Sequence, residues 1–243
     1  MTKVEADNEF RNEVEGDTVL VSIIIPTLNE SASIQKNLER LQSLRMHGFE
    51  CIIADGGSTD GTQLLAQPLV DKLIQSPKGR SRQMNAAAAC AKGRWLLFLH
   101  ADTELPDDIP VWKEFIDNTE LCWGYFRIQL SGHSMMLRII EKAVNYRSFL
   151  TKVATGDQCL FVRKKVFESI GSFPDIPLME DVAISKCLRS LGKPVLWRSQ
   201  VTTSSRRWEE NGIFNTILLM WFLRFAYFVG VSPQRLHRLY YGR

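Results

Sequence analysis

Five carboxylates and one basic segment have the types and spacing that could do chemistry: Glu30, Asp55, Asp102, Glu180, Asp181, and Gly79-Arg80-Ser81-Arg82-Gln83-Met84-Asn85. Asp102 closes the run Trp95-Leu96-Leu97-Phe98-Leu99-His100-Ala101-Asp102, and Pro106 follows shortly after. A continuous apolar run ended by a breaker predicts a strand buried on both faces, and open α/β sheets place ligands at the C-terminal ends of such strands. A carboxylate there can hold Mg²⁺ or Mn²⁺ against phosphate oxygens of a substrate, because these hard cations commonly bind through one or two carboxylates plus the substrate. Asp55 opens the turn Asp55-Gly56-Gly57-Ser58-Thr59-Asp60-Gly61-Thr62. Two readings stand: a glycine-rich turn whose Ser58 or Asp60 caps the next helix, or a strand-end carboxylate accepting hydrogen bonds from a base or ribose. The similar placement of Glu30 after the preceding strand favours nucleotide binding.

Arg80 and Arg82 fall just before an Ala-rich helix, predicted over 86–91. Unpaired amides at a helix start, the helix dipole and the arginine charges together make an anion site. Glu180 and Asp181 begin a helix predicted over 182–191. An acidic pair there can simply stabilise the dipole, or it can supply the base that takes a proton from an attacking hydroxyl.

The elements that must position these groups alternate. A strand over 19–25 stops at Pro26, a helix follows with Ile34, Leu38, Leu41 and Leu44 on one face, then come strands at 50–54 and 73–75. Further on, a surface helix is expected at 107–118, an alternating strand at 123–130, a Met-rich amphipathic stretch at 134–150, and a loop-to-strand transition at 155–162. Strand–helix alternation through residue 106 predicts a parallel, doubly wound sheet. Neither GxGxxG after the first strand nor GxxxxGK[ST] anywhere is present, so any phosphates must be held by other means.

With 243 residues and 45% hydrophobic composition, one large α/β domain can bury a full core. A net charge of +3 is too mild to argue for nucleic acid. Cys51, Cys90, Cys122, Cys159 and Cys187 are dispersed, with no CxxC, as expected of buried thiols in a reduced cytoplasmic protein. Four scattered histidines, His47, His100, His133 and His237, suggest no metal cluster. No signal peptide is read at the N-terminus, and acid-rich residues 1–17 are expected to be a disordered tail.

Four stretches in order, Val21 to Glu30, Ala54 to Thr62, Gly79 to Asn85 and Leu99 to Thr103, resemble the successive motifs of family 2 glycosyltransferases with the GT-A fold. The resemblance implies a Rossmann-like, mostly parallel sheet flanked by helices, over 18–205. Residues 18–106 would be its nucleotide-binding half and 107–205 its acceptor half. It implies an inverting enzyme moving a sugar from a nucleotide-diphosphate sugar, the donor expected to be a UDP-sugar. The nucleotide would meet Pro26, Thr27, Asn29, Glu30, Asp55 and Gly56, and the diphosphate Gly79, Arg80, Arg82 and Asn85. Ala101 and Asp102 complete the donor site, and Mn²⁺ or Mg²⁺ would rest on Asp102. His100 stands where the family motif has an acidic residue, so it is a metal ligand or a packing histidine. Gly156, Asp157 and Gln158 match the acceptor side. Asp181 matches the general base, oriented by Glu180. The acceptor is a glycan, lipid or small molecule that the residues do not specify. A sugar-nucleotidyltransferase and a non-catalytic nucleotide-sugar-binding, membrane-associated protein are the alternatives.

Residues 206–243 are set apart. Ile213 to Val231 is the most hydrophobic segment, but Asn215 and Arg224 interrupt it. It fits a helix lying in a membrane interface, which implies peripheral contact with the cytoplasmic membrane face; a buried core helix is the alternative. The preceding Ser204-Ser205-Arg206-Arg207-Trp208 could by position close over a diphosphate.

Overall fold

The computed structural model describes residues 19–106, 121–210 and 212–242. The expected tail at 1–17 and helix at 107–118 lie outside the described residues. Val21–Thr27 (β1), Phe49–Asp55 (β2), Lys72–Gln75 (β3) and Trp95–Phe98 (β4) form a parallel array in the order β3-β2-β1-β4. Thr103–Glu104 (β5), Trp123–Leu130 (β6), Phe161–Arg163 (β7) and Val195–Thr203 (β8) extend this sheet as β7-β6-β8-β5. Strand β7 runs antiparallel to β4 and β6, β8 runs parallel to β6, and β5 is antiparallel to β8. Four of the seven pairings among the described strands are therefore parallel, and the antiparallel ones fall in the second half.

The apolar strands are continuous because both faces are covered. Ile23, Ile25 and Leu97 point to one face, under Ile34, Leu38 and Leu41 of helix α1 (Ile34–Arg45). Ile24, Leu96 and Phe98 point to the other, under Met84, Ala87 and Ala88. Successive strand residues face opposite ways, so a two-sided core needs apolar residues at every position. A short helix, Thr62–Ala66 (α2), follows the Asp55 turn, and Arg80–Cys90 (α3) carries the alanines that let a helix lie close to the sheet.

The remaining helices are Met135–Thr151 (α4), Lys164–Ser169 (α5), Glu180–Leu191 (α6), Arg206–Glu210 (α7), Ile213–Phe228 (α8) and Pro233–Tyr241 (α9). Leu223 and Ala226 of α8 and Leu236 of α9 share a core with Val153, Met179 and Val182, while Ile213 and Ile217 pack with Leu137 and Ile140 of α4. Residues on either side of 205 thus pack together.

Two boundaries differ from the sequence reading. Strand β1 continues through Pro26 to Thr27. The carbonyl of Ile24 faces β4, accepting from the Leu99 amide, so by alternation Pro26 faces the same side, where β4 has already ended at Phe98. Its missing N–H therefore breaks no ladder bond. Helix α3 starts at Arg80 rather than near 86, so the basic residues lie within its first turn. Helix α8 is buried on one side only, at Thr216, Leu223 and Ala226, while Phe214, Leu218, Trp221, Phe222, Phe225 and Phe228 are exposed.

Candidate functional site

At the C-terminal end of the parallel strands, the loops after β1 and β2 are sewn together. Gly56 N–H donates to Thr27 C=O, Asn29 N–H to Ser58 Oγ, Glu30 N–H to Thr62 Oγ1, Ser31 N–H to Asp60 Oδ2, and Thr59 N–H to Asn29 Oδ1. Asn29 adopts a left-handed backbone conformation to make this crossing, one its short amide side chain tolerates. Gln83, from α3, donates to both Thr27 C=O and Ala54 C=O, locking β1, β2 and α3 at one point beside Gly56.

Within this seam Asp55 is saturated. Oδ1 accepts from the Gly57 amide at 2.9 Å, the Ser58 amide at 2.8 Å and Gln63 Nε2 at 2.7 Å; Oδ2 accepts from the Ser58 hydroxyl at 2.5 Å and the Thr27 hydroxyl at 3.2 Å. Burial favours the neutral acid, but the Ser58, Gln63 and Gly57 donors outweigh it and hold the carboxyl below its ordinary value.

Asp102 stands in contrast. After β4 the chain turns at Ala101-Asp102 and crosses to β5, whose Thr103 hydroxyl bonds the Thr203 hydroxyl on β8 at 3.0 Å. Asn37 of α1 donates to Ala101 C=O and fixes the turn. Among the described residues the half-buried Asp102 carboxylate receives only a long 3.5 Å contact from Thr103 Oγ1. Glu30 lies within its field: burial first, then the Asp102 charge, raises the Glu30 carboxyl, with Arg206 and Arg80 opposing. Two carboxylates within electrostatic reach of each other and with few donors of their own form an environment that a divalent cation fits. No group of three or more acidic, histidine or cysteine side chains suited to a metal occurs among the described residues.

His100 connects this turn to the Gly156–Gln158 turn. Its Nδ1 lies 3.3 Å from Asp157 Oδ1, and its ring sits so close to Gly156 that a Cβ there would be 2.6 Å from the ring atoms. A residue larger than glycine cannot occupy that position without moving the histidine. The Gly156 amide donates to Asp181 Oδ2 at 2.9 Å, and the Val182 amide to Asp181 Oδ1 at 2.7 Å. Gln158 is fully buried and holds the turn by accepting from the Ser148 and Thr155 hydroxyls and the Thr155 amide. Glu180 is buried beneath Asp181; burial, then the neighbouring Asp181 charge, raises its carboxyl, with Arg80 opposing. Met179, immediately before it, has φ +70°, a conformation costly for a non-glycine residue and held by the packing of its side chain.

The structure separates the basic residues. Arg80 is exposed at the start of α3, and the Glu180 charge, with Asp157 behind it, raises its basicity further. Arg82 does not join it, pairing with Asp175 at 2.8 Å. Asn85 does not either, since both ends of its amide bond the Phe173 backbone. The Arg206 charge acts on Glu30, whereas Trp208 packs beside Leu130 and Leu137. Sequence reasoning missed Gln83, although it lies within the Gly79 to Asn85 segment.

The description "Glycosyl transferase family 2" matches residues 22–171, more than half of the chain. The protein belongs to glycosyl transferase family 2. A PGL/p-HBAD biosynthesis glycosyltransferase of Mycobacterium bovis is 30% identical over 174 residues, covering 63% of each chain; this chain thus spans somewhat under two thirds of that relative's length. Among solved structures, S. aureus TarS (residues 1–349) superposes with TM-score 0.62 at 18% identity, covering 76% of this chain and 60% of that one. The mannosyltransferase PcManGT from Pyrobaculum calidifontis superposes with TM-score 0.56 at 15% identity, covering 82% and 63%. The fold is that of the GT-A glycosyltransferases, as the motif order implied.

Proposed function

We propose that this protein is an inverting, metal-dependent glycosyltransferase that moves a sugar from a nucleotide-diphosphate sugar, with UDP the expected nucleotide, to an acceptor hydroxyl. One observation carries the reading: His100, two residues before Asp102, contacts both Asp157 and Gly156, and the Gly156 amide holds Asp181. The carboxylate suited to a metal and the carboxylate suited to act as a base therefore belong to one contiguous site. Solved proteins of this fold have been crystallised with UDP-GlcNAc (TarS) and with GDP-Man and Mn²⁺ (PcManGT), which supports a nucleotide-sugar and a cation here.

In this reading Asp102 would hold Mg²⁺ or Mn²⁺, which when bound supplies charge neutralisation to the leaving diphosphate. Arg80 and Arg206 flank the same anion. Asp181, oriented by the amides of Gly156 and Val182, retains lone pairs to accept the acceptor's proton. The hydroxyl oxygen bonds to the anomeric carbon from the face opposite the leaving group, the carbon–oxygen bond to the diphosphate breaks, and configuration inverts. Asp55 and its partners shape the wall against which the base and ribose rest.

The exposed aromatic stripe of α8 supports peripheral membrane contact through 213–231. No helix among the described residues is long and apolar enough to cross a membrane, while an aromatic face with exposed Arg235 and Arg238 nearby suits an anionic bilayer surface. Flotation with anionic and neutral vesicles tests this: Trp221→Ser with Phe225→Ser should release the protein, and flotation unchanged by that pair would exclude contact through α8.

A thermal-shift screen of UDP-, GDP- and dTDP-sugars with Mn²⁺ or EDTA tests the main reading, since a ligand of the native state raises its melting temperature by mass action. The expected result is a Mn²⁺-dependent shift with a UDP-sugar, retained in Asp181→Asn while transfer is lost. Donor binding indifferent to EDTA, or full transfer by Asp181→Asn, would overturn it.

A further inference from the structure

The backbone of Gly156 does not itself require glycine. Its φ lies outside the left-handed region, so alanine would meet no backbone strain there. What leaves no room for a side chain is His100: a Cβ at Gly156 would stand 2.6 Å from both Cε1 and Nε2 of the ring. The ring is held where it is. Its side chain is 11% exposed, its Nδ1 lies 3.3 Å from Asp157 Oδ1, and its backbone is fixed at the end of β4, where the Leu99 amide donates to Ile24 C=O and the Thr103 amide to His100 C=O.

The turn on the other side of this contact is braced from within. Gln158 Nε2 donates to Phe126 C=O, its Oε1 accepts from Ser148 and Thr155, and the Gln158 amide donates to Thr155 C=O. The Gly156 carbonyl is also used inside the turn, accepting from the Cys159 amide at 3.3 Å. Its amide leaves the turn and reaches Asp181 Oδ2 at 2.9 Å. Among the described residues this is the one hydrogen bond to Asp181 from beyond its own helix, the other coming from the Val182 amide. Two fixed bodies therefore meet through a residue with no side chain, and the amide of that residue aims the carboxylate.

We propose that His100 is a positioning residue and not a cation ligand: its ring, matched to the bare backbone of Gly156, places the amide that orients Asp181. Both ring nitrogens are committed to this task, Nδ1 beside Asp157 and Nε2 against Gly156, so a cation on Asp102 would have to take one of them from its contact. The inference rests on the reading of the chain as a glycosyltransferase with Asp181 as base, and it decides between the two roles that the residue type leaves open for His100.

His100→Ala, Gly156→Ala and the double variant test it in the full chain. Melting temperature and UDP binding by calorimetry, with and without Mn²⁺, are measured beside UDP release to water from the UDP-sugar that gives the largest thermal shift. His100→Ala should bind UDP and Mn²⁺ as the wild type does and keep its donor KM, while kcat falls about tenfold or more, because a misplaced base costs turnover and not donor affinity. Gly156→Ala should lower both melting temperature and kcat. Adding His100→Ala to it should restore part of the stability, since the new methyl then fills space the ring has left, whereas independent losses would add. If Gly156→Ala does not fold, folding of the double variant supports the match and its failure to fold overturns it. Weaker Mn²⁺-dependent UDP binding in His100→Ala would make His100 a cation ligand and overturn the proposal, as would an unchanged kcat or stability losses that add. No UDP release by the wild type would instead strike the glycosyltransferase reading, and additive losses in the stability cycle would still overturn the match of ring and glycine.

Discussion

Asp55 and Asp102 each stand at the C-terminal end of a buried parallel strand, flanking β1 from opposite sides, and their surroundings could hardly differ more. The turn after β2 spends both oxygens of Asp55 on five donors from its own chain, while the turn after β4 leaves Asp102 with one 3.5 Å contact and a carboxylate neighbour. A buried carboxylate surrounded by donors is part of the structure, because removing it strands those donors. One left with few donors and facing like charge gains nothing for folding and is available to a ligand. The difference follows from what comes next in the chain: Gly57 and Ser58 turn their amides back onto Asp55, whereas Ala101-Asp102-Thr103 passes on to an edge strand beside β8.

The comparison can be broken or sharpened by exchanging each acid for its amide. Asp102→Asn should show the largest effect on activity, a loss of roughly a thousandfold in metal-stimulated transfer if the carboxylate positions a cation on the diphosphate. Its melting temperature without ligand should stay near the wild-type value. A variant that unfolds, or that keeps full Mn²⁺-dependent turnover, would erase the contrast. Asp55→Asn should act mainly on stability, costing about 2 kcal/mol, because an amide cannot accept all five donors. Donor affinity should fall as the turn loosens, with urea denaturation giving the magnitude. A smaller effect sharpens the assignment through pH. Because the Asp55 carboxyl is held below its unfolded value, its contribution is present at neutral pH and is lost as pH falls from about 4 through the folded value. Asp55→Asn should therefore destabilise at pH 7 while flattening the acid limb of the stability profile; an unchanged acid limb would assign that limb to other groups.

The strand cores were legible because burial on both sheet faces demands unbroken apolar runs, and the run ending before Asp102 could scarcely be anything else. The residue pattern likewise placed the acids near element ends: Asp55 closes β2, Glu30 lies in the loop after β1, Asp102 in the turn after β4, and Asp181 in the first turn of α6. Which polar group is satisfied internally was not legible, since the partners are distant in sequence: Asn85 with Phe173, Arg82 with Asp175, and His100 with Asp157. Residue type and local spacing carry periodicity and turn chemistry, so the chain by itself determined the layers and the candidate acids. Only the tertiary structure decided which of these acids the chain itself satisfies, because their partners come from elements distant in sequence, as Gly156 does for Asp181 and Thr27 for Asp55.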